Sequence, residues 1–375
     1  MNRVIVAGGG PVGLAAAIYA RTAGFAVTVF EPRAMPADKA CGEGVMPSAV
    51  AELARLGVHP AGLPFRGIRY LDGSAMAESR FPARPGLGVR RTELSAALLQ
   101  RALELGVQVV PGRVTDLWVG ADGVRVGPLA ADWLIGADGL HSPLRDLIAG
   151  VARGEPGRRA QGSAPRPGLP RVGLPRVGRH GVGRHGVGLR RFGLRRHYRM
   201  RPWTDLVEVY WSAIGEAYVT PVGPDLVGVA VLSRRDPDRG RSLDELLAHF
   251  PALVERLLGA APAGRTQGAG PLLQRVRRRS AGRMLLVGDA AGYVDALTGE
   301  GIAMGLRTAK AAVTCLAADR PQDYERAWRG ITREYRLLTR ALVEATRVPP
   351  IRRHLVAAAA GTPWLFDAAI RSLAR

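Results

Sequence analysis

The sequence predicts an α/β protein: a nucleotide-binding domain built on a parallel sheet, an inserted α+β domain, and closing helices. Three observations predict it. The chain opens with an apolar strand that runs into a glycine-rich turn and a helix, Arg3-Val-Ile-Val-Ala-Gly8-Gly-Gly10-Pro11-Val12-Gly13. A buried strand breaking at Asp138-Gly139, and another breaking at Gly288-Asp289, repeat that strand-to-turn logic downstream. Between them, three short apolar segments separated by Gly and Pro turns read as the sheet of a second domain.

In the opening turn, Gly8 permits the tight bend, Gly10 lets the backbone approach a pyrophosphate, and Gly13 lets the helix pack closely on the strand. The helix N-terminus beyond Pro11 presents free N–H groups and the positive end of its dipole to phosphates. Val27 to Phe30 supplies the second strand, and Glu31 follows about 20 residues past the glycines, where an acidic side chain accepts ribose hydroxyls. This is a Rossmann-like dinucleotide fingerprint in its structural context.

Pro36 to Pro47, with Cys41-Gly42-Glu43-Gly44 inside it, is too glycine-rich for a helix interior. Ser48 is expected to cap a helix over 49–56 that Gly57 ends. Residues 66–81 alternate about an Asp72-Gly73 turn and read as a hairpin. Arg91-Thr92 opens an amphipathic helix to Leu105, with Leu94, Leu98, Leu99 and Leu103 on one face. Residues 107–126 read as strands turning near Asp122-Gly123, and Ser142 can cap the helix after Asp138-Gly139. Strands are then expected at 206–211, 217–221 and 226–232, and one helix over 242–258 with a Ser242/Glu245 capping box. The chain returns to the first domain at Met284 and ends in helices near 301–318 and 324–347 and a last apolar stretch. The expected division is 1–150 with 270–318 for the nucleotide domain, 151–269 for the substrate domain, and 319–375 for a C-terminal helical segment.

With 375 residues the chain can bury a large core, and its formal charge of +21 calls for a reason. Thirteen arginines and no acidic residue lie between Pro156 and Thr204. The tract is built of pentamers: GLPRV twice from Gly168, GRHGV twice from Gly178, then GLRRF and GLRRH. From about 158 to 197 it reads as an expanded insertion, too rich in glycine and too poor in large apolar side chains to pack. It is either functionally neutral or binds an anionic surface or polymer. Because the excess charge is concentrated there, nucleic acid is not an expected partner, while peripheral contact with a membrane stays open. Gly181-Val-Gly183-Arg-His-Gly186 also fits the glycine spacing, but it lies inside the repeats with no strand before it and is rejected.

Cys41 and Cys315 give no disulfide framework, the chain starts in a strand rather than a secretory signal, and no apolar run reaches membrane-span length. The expected location is cytoplasmic. No metal site is expected: His180, His185 and His197 lie in the repeats and the other four histidines are scattered singly.

The three segments, in this order, resemble the FAD-dependent oxidoreductase superfamily of p-hydroxybenzoate-hydroxylase-type monooxygenases and geranylgeranyl reductases. The resemblance implies an FAD-binding domain of that type. Asp289 would bond the ribityl and pyrophosphate region, Asp138-Gly139 and Gly288 would shape the flavin turns, and Gly299 to Gly301 would set a helix N-terminus at the flavin pyrimidine edge. Cys41-Gly42 matches the cysteine-glycine segment beside the flavin ring, and Arg91 the helix-start arginine that contacts FAD. No catalytic residue is assigned; Cys41 and Tyr218 are the candidates. Glu216-Ala-Tyr218-Val-Thr220-Pro221 sits where the reductases carry an aromatic-rich strand, and it departs from them at Glu216 and Thr220.

Likeness to the hydroxylases implies an NAD(P)H-dependent monooxygenase that hydroxylates a small aromatic or polyketide-like molecule, and this is the leading expectation. Likeness to the reductases implies reduction of a carbon–carbon double bond. A third reading, of another class, is an arginine-rich polyanion-binding protein on an FAD scaffold. With a single genuine fingerprint present, NAD(P)H is expected to dock transiently without a Rossmann domain of its own.

Overall fold

The computed structural model describes residues 2–151, 191–234 and 242–374. Its first sheet has six strands in the order Ser280–Ala281, Met284–Leu286, Trp133–Gly136, Arg3–Ala7, Ala26–Glu31, Gln108–Pro111. Neighbours are parallel except the first pair. Val4, Ile5 and Val6 are all buried, as expected for a parallel strand covered on both faces. Helix Pro11–Thr22 packs against the helices Gly301–Ala317 and Arg91–Glu104. Its Ala15, Ala16, Ala17 and Ala20 are buried, so the neighbouring elements approach closely.

The second sheet has seven strands, ordered Ala261–Ala269, Phe192–Arg199, Leu226–Ser233, Gly215–Gly223, Val207–Trp211, Gly67–Asp72, Ala75–Arg80. Leu194, Tyr198 and Val229 pack with Leu246 and Leu253 of two short helices and with Phe250 between them. Helices Pro349–Gly361 and Pro363–Ala374 lie against the 67–80 hairpin, where Val356, Phe366 and Ile370 join Ile68, Val207 and Val209.

Several expectations are corrected. The 67–80 hairpin forms, but it extends the second sheet, because Val207–Trp211 offers it a free parallel edge; sheet membership therefore crosses the division expected at residue 150. The arginine tract does not stay out of the core up to residue 197. Phe192–Arg199 is a buried inner strand, since Leu194 and Tyr198 fill the helix-covered face while Arg195 and His197 find buried polar partners on the other. The four repeats from Gly168 to Val187, and the polyanion reading attached to them, fall outside the described residues.

Ser48 is not a cap: the helix starts at Pro47, behind Met46. The 242–258 segment is two helices, Leu243–Leu247 and Pro251–Arg256, because Pro251 cannot continue a helix but can start one. Ser242 caps the first, its Oγ accepting the Glu245 N–H at 3.2 Å. In helix Arg91–Glu104 the inward face is Leu94, Ser95, Leu98 and Ala102; Leu103 points to solvent.

Candidate active site

A cavity of about 680 Å³ lies between the C-terminal ends of the parallel strands and the inner face of the second sheet. That size is ordinary for a cofactor-and-substrate site. It gathers most of the expected site residues: Gly8, Gly10, Pro11, Val12, Glu31, Cys41, Gly42, Arg91, Asp138, Gly139, Tyr218, Asp289, Gly299 and Gly301 all line it. Gly13 and Gly288 do not. Gly13 is a support, since a Cβ there would fall 1.8 Å from the Gly8 carbonyl oxygen. Gly288 lines a smaller neighbouring cavity instead.

The opening turn separates its glycines by role. Gly8 has φ +110° and no room for a Cβ, which would meet the Ala137 oxygen at 2.5 Å. A Cβ on Gly10 would meet nothing within 4 Å. Gly10 therefore faces open space at a helix start, where a phosphate can approach free N–H groups.

Glu31 is buried, and burial works to raise its pKa. Arg33 overcomes this with its side chain and backbone N–H, helped by the Gly9 N–H, and the carboxyl is held below its ordinary value. A charged acceptor thus stands at the end of the second strand.

Arg145 stitches the two downstream turns together. Its guanidinium donates to the carbonyls of Gly139 and Leu140 in one turn, at 3.2 and 3.1 Å, and to those of Asp289 and Ala290 in the other, both at 3.1 Å. The Asp289 carboxylate then faces Lys39 Nζ at 3.2 Å. Burial raises the Asp138 pKa against hydrogen bonds from Ser142 and the Leu144 N–H, and its Oδ1 has no hydrogen-bond partner.

Sequence reasoning missed a buried network beneath Cys41-Gly42. Glu43 is 2% exposed and sits at φ +60°, a left-handed backbone that a non-glycine residue adopts only when surroundings enforce it. One carboxylate oxygen accepts the Arg91 N–H at 2.9 Å, and the other lies 2.6 Å from His197 Nε2. Arg195 Nη1 lies 3.2 Å from His197 Nδ1. A guanidinium only donates, so Nδ1 accepts and the ring proton is on Nε2, donated to Glu43. Arg195 also reaches Asp38 at 2.5 Å.

Thr220, the departure from the reductase pattern, donates to the Gly42 carbonyl at 2.8 Å. Glu216, the other, is buried against Arg191, with Asp295 3.5 Å from the same guanidinium. Burial raises the pKa of both carboxyls, and Arg191 opposes the rise. The Tyr218 hydroxyl donates to the Leu297 carbonyl at 3.1 Å, and burial beside Glu216 pushes its pKa well up. Cys41 is half-buried, its Sγ accepting the Glu43 N–H at 3.4 Å. No group of metal-ligating side chains occurs among the described residues, and none of their helices is long and apolar enough to cross a membrane.

No protein-family model matches the chain. The menaquinone reductase of Mycolicibacterium smegmatis is 30% identical over 363 residues, covering 88% of this chain and 80% of that protein. The FAD-dependent monooxygenase OpS4 of Beauveria bassiana is 32% identical over 167 residues, 39% of either chain. Among solved structures, the flavin-dependent brominase Bmp2 has a TM-score of 0.74 at 18% identity, covering 100% of this chain and 93% of that one, a likeness of fold. The two-sheet frame is shared with flavin-dependent enzymes of known structure such as this brominase. The chain belongs to the FAD-dependent oxidoreductase superfamily, and FAD is its cofactor.

Proposed function

We propose that the chain is an FAD-dependent reductase of a lipophilic unsaturated substrate of the quinone class, with NAD(P)H as a transiently docked electron donor. The observation that carries this reading is the apolar end of the cavity. There Phe65, Ile68, Val207, Val209 and Leu232 supply hydrocarbon, and Tyr70 adds a phenol whose pKa burial raises. That lining suits a molecule recognised by burial of apolar surface rather than by charge. The alignment with a menaquinone reductase over most of both chains supports the same choice over the leading hydroxylase expectation.

In this reading FAD spans the cavity, with its pyrophosphate at Gly8 and Gly10, its adenosine ribose at Glu31, its ribityl region at Asp289, and its ring near Cys41-Gly42 and Gly299 to Gly301. The open positions at Gly10, Gly42 and Gly299, where a Cβ would meet nothing within 4 Å, and the unpartnered Asp138 Oδ1 fit such an occupant. Bound there, the flavin supplies hydride transfer. The chain's own residues hold the geometry: Thr220 and Glu43 fix the Cys41-Gly42 loop, and Arg145 fixes the two Gly/Asp turns.

Monooxygenation is the second reading, favoured by the match to the FAD-dependent monooxygenase OpS4. Mixing NADPH-reduced protein with menaquinone under strict anaerobiosis separates the two. The reductase reading expects a product two hydrogens heavier without O₂. Turnover that requires O₂ and adds an oxygen atom overturns it in favour of the second reading.

A further inference from the structure

Beside the main cavity, and sharing Asp289, Tyr293 and Gly301 with it, lies a smaller one of about 170 Å³. Four arginines line it: Arg275, Arg279, Arg336 and Arg340. Its wall from helix Tyr324–Ala345 includes Trp328, Thr332, Arg336 and Arg340, spaced four apart and so aligned in one stripe along the helix. The Trp328 ring holds the Arg279 guanidinium 3.6 Å from its centre and that of Arg336 at 4.9 Å. These cation–π contacts restrict both guanidinium groups before any ligand arrives.

The charges are not balanced from within. Arg279 has Glu325 at 3.2 Å, yet its buried Nε has no hydrogen-bond partner. Arg275, Arg336 and Arg340 make no ion pair with a described residue. Asp289, the only acid in the lining, turns its carboxylate to Lys39. Burial, with Arg340 and Arg279 close by, lowers the pKa of Arg336, which is the electrostatic cost of gathering cations around one cavity.

We propose that this cavity is an oxyanion site that binds a phosphate group through Arg336 and Arg340, with Arg279 and Arg275 completing the positive field. Guanidinium groups meet phosphate oxygens in paired hydrogen bonds, which a lysine cannot reproduce. A water's share of liquid is roughly 30 Å³, so the space admits a phosphate group with its remaining hydration. The phosphate comes either from the free anion or from a phosphorylated dinucleotide, and the two are separable.

The test is a phosphate titration of the full-length, FAD-loaded protein, read by ³¹P line broadening against sodium chloride of equal ionic strength. Saturable binding is expected, weakened roughly tenfold in Arg336→Gln and again in Arg340→Gln, one charge-assisted contact each. Arg333→Gln, an exposed site on the same helix outside the cavity lining, removes the same net charge and should leave binding unchanged. Displacement of phosphate by NADPH but not by NADH assigns the site to a nucleotide phosphate; displacement by neither assigns it to the free anion. Equal responses to phosphate and chloride, or equal weakening by Arg333→Gln and Arg340→Gln, overturn the proposal.

Discussion

Glu300 stands between Gly299 and Gly301 at the start of helix Gly301–Ala317, 6% exposed. Burial raises its pKa from the ordinary 4.5 to about 7, with Glu334 adding to the rise and Arg307 opposing it. A carboxyl whose folded pKa lies above its unfolded one stabilises the fold fully below about pH 4.5 and loses that contribution as pH rises through about 7. At 1.36 kcal/mol per pH unit, the rise corresponds to about 3 kcal/mol. A negative charge at a helix N-terminus recovers about 0.3–1 kcal/mol, so desolvation wins.

Glu300→Gln keeps the shape and removes the titration. Its stability relative to the unsubstituted protein should be near zero at about pH 4.5 and grow to about 2–3 kcal/mol above pH 7.5. Isothermal urea denaturation of both proteins across that range gives the difference directly, and groups common to both cancel. A difference that is flat with pH, or that favours Glu300 as pH rises, refutes the reasoning.

His197→Ala should cost about 2–4 kcal/mol in the same assay, because it strips a buried carboxylate of a partner, whereas His197→Gln, which can still donate to Glu43, should recover part of the loss. Equal costs for the two would mean that the hydrogen bond is not what matters. Asp289→Ala should weaken FAD binding about tenfold to a hundredfold, measured by flavin fluorescence on titration, with little change in stability since the carboxylate is partly exposed. Gly10→Val and Gly13→Ala should fail differently: the first folds with native circular dichroism but loses flavin, and the second loses stability even without flavin, because its Cβ collides with the Gly8 carbonyl. Full flavin binding by Gly10→Val would remove the pyrophosphate from that turn.

Features carried by contiguous residues were legible. The glycine turn, the hairpin about Asp72-Gly73, and the helix starting at Arg91 each announce themselves within about fifteen residues, through backbone chemistry that distant contacts rarely override. What escaped was long-range. Glu43 and His197 are 154 residues apart in sequence and 2.6 Å apart in space, and neither has a local signal. His197 was further hidden by its surroundings, since glycine and arginine composition argues against packing until Asp38 is known to face Arg195 and Glu43 to face His197. Arg145 lay in a recognised segment, yet its clamp on four carbonyls depends on how two turns meet. Pro251 was readable, and it marked the helix break that the longer apolar pattern concealed.

The buried strand Phe192–Arg199 begins inside a repeat, and that has a consequence for how the chain finds its alignment. Residues 188–191 read GLRR, and so do 193–196. A slide of five residues would deliver the same four side chains to the same four sites, so this stretch cannot tell the copies apart. The choice is made at the flanking sites: on one side Gly186 would take the place of Arg191, leaving Glu216 and Asp295 without its guanidinium. On the other, the slid chain would bring Phe192 to the place of His197 and Gly193 to that of Tyr198, stranding Glu43 beside a phenyl ring and emptying a core position. An unpaired buried carboxylate and a lost aromatic side chain cost several kcal/mol together, on the order of 5. The acid beneath the Cys41-Gly42 loop, with the acids that hold Arg191, therefore proofreads the sheet, rejecting a wrong copy of the repeat that sites 193–196 alone would accept.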